Sequence, residues 1–379
     1  MPTPPLADEL AFAAVEAVRE HGSQTAAARA LGIPRQTLQS RLSVASRLGE
    51  APGHFVNGVA PGYLMGKVTV QRAADGAVER TWERQSPDQE ATRLAMESAA
   101  AAMAEKLPRV RALTPPVDTN DALCNLYVLT DSHVGMLAWG RETGADWDLG
   151  IAERVLTGCF MRMVDAAPKA ADAVVCQLGD FLHFDSLTAV TPAHGHILDA
   201  DGRFSKVVAI AIRVLRRVID YALAKHDRVH VVMAEGNHDE ASSVWLRLMF
   251  AALYENEPRV AVNDSELPYY VHQHGDTMLA FHHGHKRKNE QLPLLFAAQF
   301  PTMWGATTKR YCHTGHRHHE ETKEQAGMKV TQHPTLAAKD AYAARGGWLS
   351  ERQASAITYH SRYGKVGETI VTPEMLEAA

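Results

Sequence analysis

Cysteine is scarce in this 379-residue chain. The four present, Cys124, Cys159, Cys176 and Cys312, form no CxxC pair, and most lie in apolar runs, which predicts buried, reduced thiols. Long apolar stretches are missing too. None approaches the ~18 residues needed to span a bilayer, so no membrane partner is expected. The opening MPTPPLADEL lacks the basic and apolar regions of a signal peptide, so the expected location is cytoplasmic. A basic excess is also absent. Lys and Arg number 39 against 44 Asp and Glu, for a formal net charge of −5. The chain is therefore no polycation, and any contact with nucleic acid must use a local patch. Histidine is nearly absent from the first 120 residues, where only His21 and His54 occur. The other 18 of 20 follow, which separates a metal-poor front from a histidine-rich remainder.

Those later histidines fall in short stretches that each follow an apolar run readable as a strand. Leu123 to Thr130 leads into Asp131-Ser132-His133, and Ala173 to Leu178 into Gly179-Asp180-Phe181-Leu182-His183. Val229 to Ala234 leads into Gly236-Asn237-His238-Asp239, and Thr277 to Phe281 into His282-His283-Gly284-His285. Gly315-His316-Arg317-His318 comes last. In an open α/β sheet the loops after strand C-termini converge on one crevice, so Asp, Asn and His are delivered to one place. Oxygen and imidazole donors without thiolate suit divalent Mn, Fe or Zn.

The order D-x-H, GD-x-x-H, GNHD, H-G-H, GH-x-H resembles the calcineurin-like metallophosphoesterases over roughly residues 123–320. That resemblance implies an α/β (α+β four-layer) sandwich of two sheets flanked by helices over 121–379. It also implies two divalent metal ions, with Mn expected and Fe, Zn, Ni or Mg as alternatives. Asp131, His133, Asp180 and His318 would hold one ion. Asp180, Asn237, His283 and His316 would hold the other, with Asp180 bridging. His283 is preferred to His282 and His285 because it stands immediately before Gly284. His238 would be the general acid, Asp239 would orient its imidazole, and His183 would lie near the metals. His194, His196, His313, His319 and His333 read as ordinary polar loop residues. Lys286-Arg287-Lys288 reads equally as a phosphate contact or a solvated loop.

The second motif, GDFLHFD, lacks the Asp-Arg-Gly of the Ser/Thr protein phosphatases and is similar to the GD-x-x-H of SbcD-type DNA nucleases. The expected activity is thus phosphodiester hydrolysis on DNA. Two alternatives stand: a phosphatase or phosphodiesterase for a small nucleotide or phosphoprotein, and a DNA-binding regulator with a structural metal. Only about 60 residues follow the last motif, too few for the capping and docking segments of those nucleases, so an ATPase partner is not expected.

Residues 1–50 carry helical apolar spacing, a Gly22-Ser23 cap signal, Gly32 at a turn and Pro34 at a helix start. The run GSQTAAARALGIPRQTLQSRL resembles a Fis-type helix-turn-helix. That implies a small all-α DNA-binding domain, with Arg35, Gln36, Gln39, Ser40 and Arg41 as the outward DNA-binding candidates. A packing or dimerisation module is the competing reading. Residues 51–120 read as a connector: a hairpin about Ala74-Asp75-Gly76, an Ala-rich helix over 87–107 and a Pro-rich linker. A helix-turn-helix followed by a phosphoesterase also resembles proteins of phage and prophage genomes, hence an expected setting in bacterial or phage-infected host cytosol. Single modules of this kind reach useful affinity by pairing, so a homodimer or higher even oligomer is expected.

Overall fold

The structure, a computed structural model, describes residues 8–47, 63–73, 78–87, 113–192 and 195–376. The hairpin turn at 74–76, the Ala-rich helix expected over 87–107 apart from Pro87, and His194 lie outside the described residues. The chain divides into two compact units, Met1–Glu97 and Ser98–Ala379.

In the first unit three helices form where the spacing predicts them: α1 (Asp8–His21), α2 (Gln24–Ala30) and α3 (Arg35–Arg47). The Ser23 hydroxyl caps α2 by accepting from the Ala26 amide at 3.2 Å. Gly32 takes φ +63°, a left-handed turn that a residue with a side chain rarely adopts. Ala14, Val15, Ala27, Ala28, Leu38 and Ala45 are buried together. Helical periodicity thus placed Ala14, Val15 and Leu38 inward, whereas Leu10, in the same apolar spacing, is exposed. β1 (Tyr63–Arg72) and β2 (Val78–Pro87) pair antiparallel.

The second unit holds two sheets. The larger contains β3 (Asn120–Leu129), β4 (Ala170–Gln177), β5 (Arg228–Met233) and β6 (Val260–Val262), all parallel. β12 (Ala354–His360) joins β3 antiparallel and β13 (Gly364–Val371) closes that edge, for an order β13-β12-β3-β4-β5-β6. The smaller sheet is β10-β11-β9-β8-β7, from β7 (Tyr270–His274), β8 (Thr277–Phe281), β9 (Lys309–Thr314), β10 (Glu321–Gln325) and β11 (Met328–Gln332). β8, β9 and β11 run parallel.

Strand alternation sorts the core into layers. Cys124, Leu126, Val128, Val174, Cys176, Val232, Ile357 and Tyr359 of the larger sheet pack with Leu279 and Phe281 of the smaller one between the sheets. The intervening Tyr127, Leu129, Ala173, Val175, Val231 and Met233 face helices. Those helices are α5 (Leu149–Ala166), α6 (Phe204–Lys225) and α7 (Glu240–Leu253). On the outer face of the smaller sheet, Met278, Ala280, Cys312 and Val330 meet Leu292 and Phe296 of α8 (Leu292–Gln299). Short helices α4 (Gly140–Thr143), α9 (Pro301–Ala306) and α10 (Ala341–Arg345) complete the described set. The result is helix, sheet, sheet, helix, the four layers expected. All four cysteines are buried and free. No helix among the described residues is long and apolar enough to cross a membrane.

Candidate metal centre

Because β3, β4 and β5 are parallel, as are β8 and β9, their C-terminal ends lie together, and every singled-out motif begins one to three residues beyond such an end. The backbone there is unusual. Among described residues other than glycine, six have positive φ: Asp118, Asp131 (48°), His133 (43°), Asp180 (49°), His316 (73°) and His318 (57°). Five of these six are expected metal ligands. Left-handed backbone at such residues costs on the order of 1–3 kcal/mol each and persists only where surrounding contacts impose it.

Those contacts are visible. Asp131 is buried, accepts from the Thr130 hydroxyl at 2.6 Å, and takes the His316 amide at 2.9 Å. The Thr335 hydroxyl donates to its carbonyl at 2.6 Å. Asp180 accepts the His238 amide at 2.8 Å on Oδ1, while its Oδ2 lies 3.1 Å from His283 Nε2. A Cβ at Gly236 would collide with the Asp180 amide and carboxylate, so this position of GNHD admits only glycine.

The side chains gather as two adjoining sets. Ligand atoms of Asp131, His133 and His318 lie within 4.8 Å of one another, and so do those of Asp180, His283 and His316. His318 Nε2 is 3.1 Å from Asp131 Oδ1 and 3.3 Å from His133 Nε2. His283 Nε2 also reaches Asp131 Oδ1 at 3.9 Å, linking the sets. Its Nδ1 bonds the Leu178 carbonyl at 2.9 Å, which fixes the tautomer and leaves Nε2 facing the carboxylates. The buried Asn237 Oδ1 has no hydrogen-bond partner. Oxygen and imidazole donors, with an unpartnered amide oxygen among them, fit divalent cations.

Electrostatics agrees. Burial opposes the charge of Asp131, yet His318 and His283 hold its carboxyl below the usual range. Burial likewise opposes Asp180, which His283 and His238 hold well below it. Burial would lower His283, but Asp180 and Asp131 raise it to about 10. Burial, then His238 and His183, push His133 well below its ordinary value. Asp131 and Asp180 are thus favoured as carboxylates by His283 and His318, whose own pKa values are raised in turn, whereas His133 is driven toward its neutral form.

His183 joins the group, its Nδ1 3.2 Å from His133 Nδ1, and burial lowers its pKa to about 3, with His238 adding to the effect. His238 packs edge-on against His133 and stacks on His183, and its Nδ1 bonds the His183 carbonyl at 2.8 Å.

The role expected for Asp239 needs correction. Its carboxylate does not orient His238. It accepts backbone amides of Phe181 at 2.7 Å, Leu182 and Gly236 at 3.1 Å each, and Asp180 at 3.2 Å. A buried carboxylate beside a tight turn takes the turn's donors, which fixes the loop carrying Asp180. Asp185, not Asp239, caps α7, accepting the Ala241 and Ser242 amides at 2.6 and 2.8 Å. Burial raises the Asp185 carboxyl to about 6 against these bonds.

His313 and His333 are not loop residues at the surface. Both are buried, and Tyr359, His313 and His333 form a bonded chain with steps of 3.0 and 2.8 Å. Polar side chains between sheets must find partners, and these find each other. Lys286 pairs with Glu235 at 2.6 Å, whereas Arg287 and Lys288 are exposed. His196 and His319 are exposed. Thr130, Thr335 and Asp185 were not singled out from the sequence. Asp185 was in view within GDFLHFD, but nothing local assigns a cap to a helix more than 50 residues away. In the first unit, Arg35, Gln36, Gln39 and Ser40 are exposed, while Arg41 is half-buried with its Nε covered. Arg41 is therefore only partly the outward residue expected.

No family model and no curated protein matches the chain. Solved structures do resemble it. One is a conserved uncharacterized protein, a predicted phosphoesterase, from Streptococcus pneumoniae TIGR4. It shows 12% identity and TM-score 0.32, over 67% of this chain and 91% of that one. Another is Vps29 from Entamoeba histolytica complexed with Zn²⁺, at 15% identity and TM-score 0.28, over 66% and 99%. A third is phosphopantetheinyl hydrolase from Mycobacterium tuberculosis, at 11% identity and TM-score 0.26, over 61% and 94%. At TM-scores this low the likenesses add no weight to the geometry of the centre itself.

Proposed function

We propose that the second unit is a calcineurin-like, two-metal phosphodiester hydrolase whose substrate is DNA. The observation that carries the metal reading is the left-handed backbone at Asp131, His133, Asp180, His316 and His318, five of the six described non-glycine residues with positive φ and each a residue that a dinuclear centre would use. Asp131, His133, Asp180 and His318 would hold one ion, and Asp180, Asn237, His283 and His316 the other. Divalent ions bound there would neutralise a phosphate and acidify water at neutral pH.

The chain's own groups do the rest. Asp239 holds the 180–182 turn, and so the Asp180 carboxylate, in place. His238 keeps Nδ1 on the His183 carbonyl, which leaves Nε2 as the ring atom able to give a proton to a leaving oxygen. The DNA assignment is supported by the GD-x-x-H spacing and by α2 and α3, read as a Fis-type helix-turn-helix offering Arg35, Gln36, Gln39, Ser40 and part of Arg41. We further propose Mn²⁺ as the native metal, a cytoplasmic setting in a bacterial or phage-infected cell, and a homodimer or higher even oligomer.

The test is purified protein with Mn²⁺ on linear and circular DNA and on bis-p-nitrophenyl phosphate. Hydrolysis of both substrate types is expected. Cleavage of the small diester with no cleavage of any DNA would move the substrate to a small nucleotide. Arg35→Ala with Arg41→Ala should weaken duplex binding and leave the small diester reaction intact. Light scattering that finds a monomer at micromolar concentration, with and without DNA, would remove the assembly proposal.

A further inference from the structure

Next to the centre, Glu235 after β5, Glu240 at the start of α7 and His285 after β8 bring two carboxylates and an imidazole together. Their ligand atoms all lie within 4.8 Å of one another. An acidic pair alone would mean little. His285 changes the reading, because its side chain is only 8% exposed and neither ring nitrogen has a hydrogen-bond partner. Buried ring nitrogens are nearly always bonded. Here Nε2 faces Glu235 Oε1 at 3.8 Å, so the imidazole is aimed into the carboxylate pair.

The group is separate from the two sets already described. The His285 ring lies 5.3 Å from that of His283 and 6.3 Å from that of His316, and neither Glu235 nor Glu240 belongs to those sets. One cation is already present, since Lys286 Nζ lies 2.6 Å from Glu235 and 3.5 Å from Glu240. One ammonium against two carboxylates leaves net negative charge, and it forms no hydrogen bond with His285. The Lys286 side chain is 42% exposed, so it can swing into solvent. A divalent ion would satisfy both carboxylates and accept the imidazole lone pair together, whereas the Lys286 ammonium reaches the two carboxylates and leaves both His285 ring nitrogens unbonded.

We propose that Glu235, Glu240 and His285 bind a third divalent cation, of the manganese or zinc type, in exchange for the Lys286 ammonium. The ion and Lys286 compete for the same two carboxylates, so occupancy rises when the lysine is removed.

The experiment counts Mn²⁺ per chain in the full-length protein by plasma mass spectrometry after equilibrium dialysis, with affinities from calorimetry. Wild type should hold one ion more than His285→Ala. Glu240→Gln, at a half-exposed carboxylate whose loss should not disturb folding, should show the same deficit. Lys286→Ala should keep the extra ion and bind it several-fold more tightly. Asp180→Asn should lose ions from the dinuclear centre and still retain this one. Equal metal content in wild type, His285→Ala and Glu240→Gln, or unchanged affinity in Lys286→Ala, would overturn the proposal. The two readings also fail differently. If Asp180→Asn strips every ion, the third site falls. If wild type holds a single ion that Asp180→Asn keeps and Glu240→Gln loses, the dinuclear reading falls and the third site stands.

Discussion

The two ends of the larger sheet both collect aspartate and histidine, yet they are built oppositely. At the N-terminal end of β4, Asp172 is gripped by Arg228 through two bonds of 2.7 and 3.0 Å. His274 and His230 approach the same carboxylate at 3.4 and 3.7 Å. None of these residues has a left-handed backbone. At the C-terminal end, the only groups within ion-pair distance of Asp131 and Asp180, among the described residues, are histidines. There the backbone is left-handed at five positions, and Asn237 keeps a buried, unpartnered oxygen. An acid-imidazole cluster is therefore not itself a site. One end has a fixed guanidinium that neutralises it for good. The other spends backbone strain to hold carboxylates that no fixed cation satisfies, which is how a centre for exchangeable cations differs from a structural clasp.

Breaking the C-terminal end should have the largest effect. Asp180→Asn should lose most bound metal and slow hydrolysis of bis-p-nitrophenyl phosphate by roughly 10³-fold or more, the scale of several kcal/mol of lost charge stabilisation. Unchanged metal content and rate would refute the two-metal assignment. Next comes His238→Ala, which should keep its metal and lose about 10²–10⁴ in rate on DNA. The loss should be smaller on a substrate releasing p-nitrophenol, which needs no proton. An equal loss on both would count against a general acid.

Asp239→Ala probes how the strained end is held. Freeing the amides of residues 180–182 and 236 should weaken metal affinity by about 10–100-fold, the usual cost of removing a group that positions ligands. An effect on rate alone, at full metal affinity, would restore the orienting role over His238. The smallest effect on activity belongs to the opposite end. Asp172→Asn should leave metal content and rate at wild-type values and lower stability at pH 7 by roughly 1–3 kcal/mol, read from urea unfolding. Burial raises the Asp172 carboxyl, but His230, His274 and Arg228 outweigh it and hold it far below its ordinary value. Its stabilisation is therefore present above the unfolded carboxylate pKa of about 3.9 and drains away as pH falls below that. The variant should show a shallower loss of stability on acidification, and a parallel decline in both proteins would mean that Asp172 is not part of the acid response.

Much of this was legible in the chain before any coordinates. Short apolar runs in β3, β4 and β5 and helical spacing in α1 depend on local geometry, so apolar pattern alone located them. Motifs at strand ends were legible for the same reason. A parallel sheet forces those ends to one side, so Asp131, Asp180, Asn237 and His316 had to meet once the strands were identified. What stayed hidden involved partners far apart in sequence. Asp239 stands immediately before α7 and beside His238 in sequence, yet its carboxylate is drawn to the amides of residues 180–182 while Asp185 caps α7 from more than 50 residues away. His313 and His333 read as loop histidines, because nothing in their flanks reveals that Tyr359 will lie against them between the sheets. The same holds for the two ends of β4. Sequence shows that Asp172 and Asp180 are eight residues apart on one strand and its loop. Only the tertiary structure decides that Arg228 reaches the first and that, among the described residues, no lysine or arginine reaches the second, because a charge's character is set by which neighbours the fold brings within a few ångströms.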